Sequence, residues 1–447
     1  MKLFDTLKNI WKIEELKTRI LTTLGLILVY RLGTEIVLPG INPAGLAALK
    51  DQTSGNGVLG LLDMFSGGAF SNASIFALGI MPYISASIVV QLLGIAVPYF
   101  QRMQREGESG RRKINQITRY LTVGILVLQG SAYLTNLHMQ IQPEYFMMKG
   151  WMFTVFSVIV LAAGSMFVLW LGEKITDKGI GNGISNIIMI GIIARLPFAF
   201  VAEFSSRMSQ QGGGAVAFLI EITLLFFVFC GSILLVQGTR KVPVQYAKRI
   251  VGNKQYGGVR QYIPLKINAA GVMPIIFAQA LMLLPISFAN YAASDSLSGF
   301  AAAFSNFTGL WYNLTFFILI VAFTYFYTAI TVNPMQMSED MKKNGGFIPG
   351  VKPGRRTMEF LDTIMSRITL PGSIFLGIVA ILPAFAQLSG VNQQFAQFYG
   401  GTSLLILVGV VLDTLQQIES HLLMRHYDGL MKTGRIKGKT PGGPAAY

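Results

Sequence analysis

Charge is scarce in this sequence. Of its 447 residues only 13% are Asp, Glu, Lys or Arg, while 52% are hydrophobic, and a soluble domain carries roughly 25% charged residues. With a mean hydropathy of +0.53, a deficit of that size points to a chain surrounded by lipid. Cysteine is nearly missing. Cys230, alone in an apolar run, excludes an internal disulfide framework and a cysteine-based metal site. The three histidines, His138, His421 and His426, have no zinc-site spacing. A phosphate-binding loop is absent too. Gly434 to Thr440 places three residues between its glycines where the motif needs four, and it follows no strand. Gly179, Gly181 and Gly183 lack the preceding strand that dinucleotide binding requires, and read as a flexible helix entry. No nucleophile–base constellation appears, so neither an enzyme nor a cofactor is expected.

Long apolar runs are what the chain does have. A membrane-spanning helix needs about 20 apolar residues, and ten runs qualify: 20–38, 74–96, 118–137, 152–172, 183–202, 215–236, 268–290, 310–332, 369–388 and 401–421. A shorter Gly-rich segment, 58–72, reads as a re-entrant half-helix, tolerated at membrane depth only when buried in protein or lining a cavity. With ten spans both termini share one side, together with loops 97–117, 173–182, 237–267 and 333–368. Those regions and the residues bordering them hold 31 of the 36 Lys and Arg; the others are Arg31, Lys50, Lys149, Arg195 and Arg207. That asymmetry makes the side cytoplasmic, and it accounts for the net charge of +15 without nucleic acid. The N-terminal stretch spaces Leu3, Phe4, Leu7, Ile10 and Ile13 as a helix lying on the membrane surface does. Loops 237–267 and 333–368 are long, basic and without evident secondary structure, which suggests a docking surface.

The two halves echo each other. Gly79-Ile80-Met81-Pro82-Tyr83-Ile84-Ser85-Ala86 and Gly271-Val272-Met273-Pro274-Ile275-Ile276-Phe277-Ala278 share five of eight residues, each within the second span of a five-span half. Five is odd, so the halves run in opposite directions, an inverted repeat that places a pathway at their interface. Ile80 and Ile84, like Ile184 and Ile188, are four apart and share a helix face. Ionisable candidates for a pair near the bilayer centre are few: Arg31, Glu35, Glu221 and Asp413, with Glu35 and Glu221 near span ends. Arg31 and Glu35 have the spacing of a local pair. An ion-coupled solute transporter, the rival reading, needs more such groups near the bilayer centre. Gln91, Gln129 and Asn182 are polar residues expected to seek partners across helices.

Several longer stretches resemble the SecY family. They are Met64 to Ser71, continuing from Ala73 to Ser87; Arg105 to Lys113; Gly179 to Ser185; Tyr246 to Arg249; Pro264 to Asn268; Gly346 to Gly350; and Gly400 to Ile406. They occur in family order along nearly the whole chain. The resemblance implies an all-α integral membrane protein of ten transmembrane helices in two inverted, pseudo-symmetric five-helix halves, with a short re-entrant plug helix. Its parts would be a cytoplasmic segment 1–19, a first half 20–202, a second half 203–421 and a basic tail 422–447. It implies a bacterial inner-membrane channel, closed by a ring of Ile80, Ile84, Ile184, Ile188, Ile276 and Ile406 and by a plug containing Met64, Phe65, Ser66, Gly67, Gly68, Ala69 and Phe70. Gln91, Gln129 and Asn182 would then belong to a lateral gate opening to lipid. Arg240, Lys241, Lys248, Arg249, Lys352, Arg355 and Arg356 would dock a ribosome, through its RNA, or the SecA ATPase. SecE and SecG are the implied small subunits, and polypeptides bearing signal sequences the implied substrates. At one place the chain departs from the family: Pro349 to Gly354 has Lys352 where arginine is usual, which keeps the charge but not the planar fork.

Overall fold

The computed structural model describes residues 13–46, 60, 63–148, 150–209, 214–246, 249–251, 254–256, 260–279, 281–282 and 308–433. Its helices are α1 (Glu14–Glu35), α2 (Met81–Ala96), α3 (Pro98–Arg105), α4 (Glu108–Gln140), α5 (Trp151–Lys178), α6 (Gly183–Met208), α7 (Gly214–Gln237), α8 (Leu310–Thr331), α9 (Pro334–Lys343), α10 (Arg355–Leu388), α11 (Gln393–Ala396) and α12 (Gly401–Thr433). Each of the ten expected spans meets a helix; the seventh is helical at 273–279 and 281–282, and its remainder lies outside the described residues. The N-terminal stretch 1–12 and the tail beyond 433 also lie outside them.

Lipid offers no hydrogen-bond partners, so a spanning backbone satisfies itself as helix. Among the described residues six helices are long and apolar enough to cross a membrane: α5, α6, α7, α8 running on into α9, α10 and the first part of α12; α2 and α3 make a seventh if that bent pair is one span. Their outer faces carry apolar side chains that a soluble protein would bury. On α7, Val216 is 72% exposed and Leu234 73%. The chain is a multi-pass membrane protein.

Several boundaries differ from the sequence reading. Apolar counting starts spans three and nine at 118 and 369, but α4 and α10 begin at Glu108 and Arg355. Their first turns are polar and project beyond the lipid, which hydropathy does not register. The second span is the opposite case: 66–80 is a string of turns and helix begins only at Met81. The internal repeat explains this start. Gly79 and Gly271 both have left-handed backbone, φ +51° and +63°, and helix follows two residues later at 81 and at 273. Pro82 and Pro274 then occupy the second helical position, where no hydrogen bond is lost.

Buried side chains gather in four clusters. One belongs to the first five spans, around Leu126, Leu134, Phe153 and Leu161. One belongs to the second five, around Ile275, Phe316, Ile320 and Leu376. A third draws on both halves, joining Tyr30, Ile80 and Ile188 to Phe395, Tyr399 and Ile406. The fourth lies within the two basic loops, which are not structureless. Strand β1 (Thr239–Tyr246) pairs antiparallel with β4 (Arg260–Lys266), Val242 opposite Ile263, and also with β5 (Gly346–Phe347), Gln245 opposite Phe347. Between β1 and β4, β2 (Arg249–Val251) and β3 (Lys254–Tyr256) form a hairpin. Val242 and Val244 point inward onto Leu265, Met341, Ile348 and Leu361, with Lys241 and Pro243 outward between them, the period of a half-buried strand.

Candidate functional site

The six isoleucines come from four separate parts of the fold: the start of α2, the start of α6, the seventh span and α12. Ile80 stands immediately before α2 and Ile84 one turn into it; Ile184 and Ile188 lie on the first turns of α6, and Ile406 on α12. Ile80, Ile188 and Ile406 are buried in the cluster common to both halves, and Ile84 and Ile184 pack against it. Ile276 is half-buried and is not part of that cluster. Its neighbour Ile275 is fully buried in the second-half core, while Val272, one turn back, touches both clusters. Five of the six thus meet, and Met64 and Phe65 meet them.

Of segment 58–72, residues 60 and 63–72 are described: 60 and 63–65 are helical and turns follow. The segment is gripped by side chains from three helices, its backbone from α1 and α4 and two of its side chains from α6. Tyr30 Oη donates to the Ser66 carbonyl at 3.0 Å and Arg31 Nη1 to that of Gly67 at 2.8 Å. Tyr133 Oη donates to the Phe70 carbonyl at 2.9 Å. Arg195 pairs with Asp63 and donates to Ser71 Oγ at 2.8 Å, while Ser71 N–H donates to Asp63 Oδ1 at 2.8 Å. Gly67 has φ +66° and approaches α6 so closely that a Cβ would lie 2.9 Å from the Gly191 Cα; both the angle and the contact require glycine. Arg31 does not close onto Glu35, as helical spacing suggested. Glu35 instead accepts from Asn72 Nδ2 at 3.4 Å, so both charges serve this segment. Sequence reasoning missed Tyr30, Tyr133, Asp63, Ser71 and Arg195. The one available signal was an arginine in an apolar span, which must find a partner.

Between spans two and eight runs an apolar groove of about 340 Å³, lined by Ile88, Leu92, Phe277, Leu281, Phe323 and Tyr327 among others. Phe277 stacks on Phe323 with ring centroids 5.7 Å apart. One polar contact crosses the groove, Tyr327 Oη to Gln91 Oε1 at 3.4 Å. Gln129 is half-buried on α4. Asn182 belongs elsewhere: its side-chain oxygen caps α6 by accepting from Ile184 N and Ser185 N, so it is used within its own helix rather than across a seam. The glycine-rich turn before it is not loose either. Ile180 N donates to Thr23 Oγ1 at 3.1 Å, Gly181 N to Gln417 Oε1 at 2.8 Å and Gly183 N to Thr176 Oγ1 at 2.9 Å. A Cβ on Gly183 would fall 1.9 Å from the Gly172 carbonyl oxygen, so close packing is what calls for glycine there.

On the sheet-bearing end, Arg240 and Lys241 are exposed on β1, and Lys352, Arg355 and Arg356 are exposed at the start of α10. The pairing of β1 with β5 sets both basic loops on one body. Two arginines in the first turn of α10 oppose its dipole, which favours acidic groups there. Such a local conflict is characteristic of functional surfaces. Arg355 reaches Glu359 at 3.4 Å, an exposed pair contributing little. Lys248 lies outside the described residues, and Arg249 is described only as part of β2.

Comparison with known proteins agrees with this architecture. The SecY family model matches residues 74–415. A protein translocase subunit SecY of Streptomyces coelicolor is 43% identical over 440 residues, covering 94% of this chain and 98% of the relative. Among solved structures, a SecY channel studied for its plug domain has a TM-score of 0.60 at 16% identity, covering 93% of this chain and 95% of that one. Sec61 in a canine ribosome–channel complex has a TM-score of 0.55 at 15% identity, with the same coverage. By the family model and by this identity over nearly its whole length, the chain belongs to the SecY family.

Proposed function

We infer that this chain is the channel-forming subunit of a protein translocase, passing unfolded secretory polypeptides across the membrane and releasing apolar segments sideways into lipid. It is not an enzyme; the energy comes from a partner. The observation that carries the reading is the buried cluster in which isoleucines of both halves meet Met64 and Phe65. A ring of branched apolar side chains suits such a pathway. It can exclude ions by dewetting, and it offers a passing chain few specific hydrogen bonds. The segment around 63–72 is the plug, seated against that ring in the resting state. The apolar groove between spans two and eight is the lateral gate, where a signal sequence displaces stacked aromatics and a single Gln91–Tyr327 contact.

Both termini face the cytoplasm, and the membrane is the inner membrane of a bacterium. The sheet and the start of α10 form the surface that receives the ribosome or the SecA ATPase, with SecE and SecG as companion subunits. Removing residues 58–72 from the complex in vesicles tests the central claim. Resting channels should then leak ions; channels that stay tight, with no other segment in the vacated place, would overturn it.

A further inference from the structure

One winding face of α6 carries Gly191, Arg195, Ala199, Glu203 and Arg207, each four residues from the next, a row inclined to the helix axis. At the first of these the plug backbone presses in: a Cβ on Gly191 would meet Gly67 N and the Phe65 carbonyl oxygen, both at 3.1 Å. Arg195, one turn on, holds Asp63 and Ser71. Ala199 lines a small cavity of about 40 Å³ with Asp63, Met64, Arg195, Gln397 and Phe398. Glu203 is fully buried and accepts from Asn392 N at 2.7 Å, while Arg207 bridges it to Glu221 of α7. The upper part of this face therefore grips the plug, and the lower part grips the second half.

Asp63 is 6% exposed and is the plug's own charge. A carboxylate that far from water needs a cation and hydrogen bonds, and Arg195 together with Ser71 N–H supplies them. The side chain of Arg195 is 30% exposed, so water can take over its solvation when the plug leaves. Such a pair holds without locking.

We propose that Asp63 and Arg195 form an ionic latch that keeps the plug seated and so sets how strong a signal sequence must be to open the channel. The latch rests on the plug assignment made above. It acts by position: neither residue belongs to the isoleucine ring or to the gate seam, and the pair fixes the resting state that a signal must disturb.

The test uses the full chain with its companion subunits and motor in vesicles, and compares D63N, R195Q and the double variant. Two readouts are taken, resting ion leak and the transport of a substrate with a weakened signal relative to one with a strong signal. Losing a hydrogen-bonded charge partner should raise the weak-to-strong ratio by about tenfold, with increased leak, and strong-signal transport should be retained. The double variant should match either single variant, because both remove one interaction. Parent-like ratios in both single variants would overturn the latch, as would additive effects, or equal loss for weak and strong signals. Should the 58–72 deletion leak while D63N stays tight, the latch fails and the plug stands; if the deletion is tight, the plug assignment itself fails.

Discussion

Ile406 illustrates what a single side chain is asked to do. It comes from the last helix, is 8% exposed, and packs against isoleucines from α2 and α6. Isoleucine is stiff at its first torsion, so in the proposed channel the ring keeps its shape between transport events. Ile406→Asn puts a group that attracts water into an apolar constriction. Ion leak should rise and the demand for an intact signal sequence should relax, whereas Ile406→Leu should change both far less because polarity is unchanged. Planar-bilayer conductance and a signal-deletion transport assay check this, and matching Asn and Leu variants would return the residue to ordinary helix packing. Helical spacing alone made the two isoleucine pairs legible. It did not reveal Asp63 and Arg195, which are 132 residues apart and meet only because turns 66–80 fold the segment around Asp63 back onto α6. Arg31 was hidden for a related reason: its partner is a backbone carbonyl, which leaves no mark in side-chain chemistry. Asn182 looked like a candidate for a cross-helix contact because its residue type suits caps and seams alike.

At the scale of elements, the sheet built by the two basic loops was the largest omission. The alternation was present in Val242, Val244 and Tyr246, but the surrounding lysines and arginines made the stretch read as basic loop. Its partner β5 is only two residues long and is separated from the end of β1 by 99 residues, 247–345, a pairing no local pattern announces. The spans were legible because lipid enforces a minimum apolar length, although polar first turns moved their boundaries. The sheet gives a specific expectation. Reversing charge at Arg240, Lys241, Arg355 and Arg356 together should weaken ribosome or motor binding while the chain still inserts. If the contact is to phosphate, each lost cation should also flatten the salt dependence by about one unit of slope. Binding isotherms at several salt concentrations measure both, and an unchanged affinity would remove this surface from the docking role.

At the scale of the whole molecule, the two halves part in the proposed lateral gate at the apolar groove lined by α2, the seventh span and α8. Among the described residues one polar contact bridges that groove, and hydrogen bonds between membrane helices average about 0.6 kcal/mol, so in the proposed gate this bond biases the closed state without fixing it. Gln91→Cys with Tyr327→Cys, in a background where Cys230 is replaced, should accept a short thiol cross-linker in the resting channel. The linked protein should bind signal-bearing polypeptide poorly and recover transport on cleavage of the linker. Full transport while linked would show that the two halves part elsewhere.

The sheet also bears on how that parting is driven. Strand β1 starts two residues after α7 ends, β4 leads into the seventh span, α9 follows α8 directly, and Ser338 of α9 donates to the Gly354 carbonyl at 2.8 Å, just before α10. Four spans of the second half are thus rooted in one small sheet-bearing body, and among the described residues its strands all come from the second half. A load placed on either basic loop reaches α7, α8 and α10 together, as torque on one half against the other.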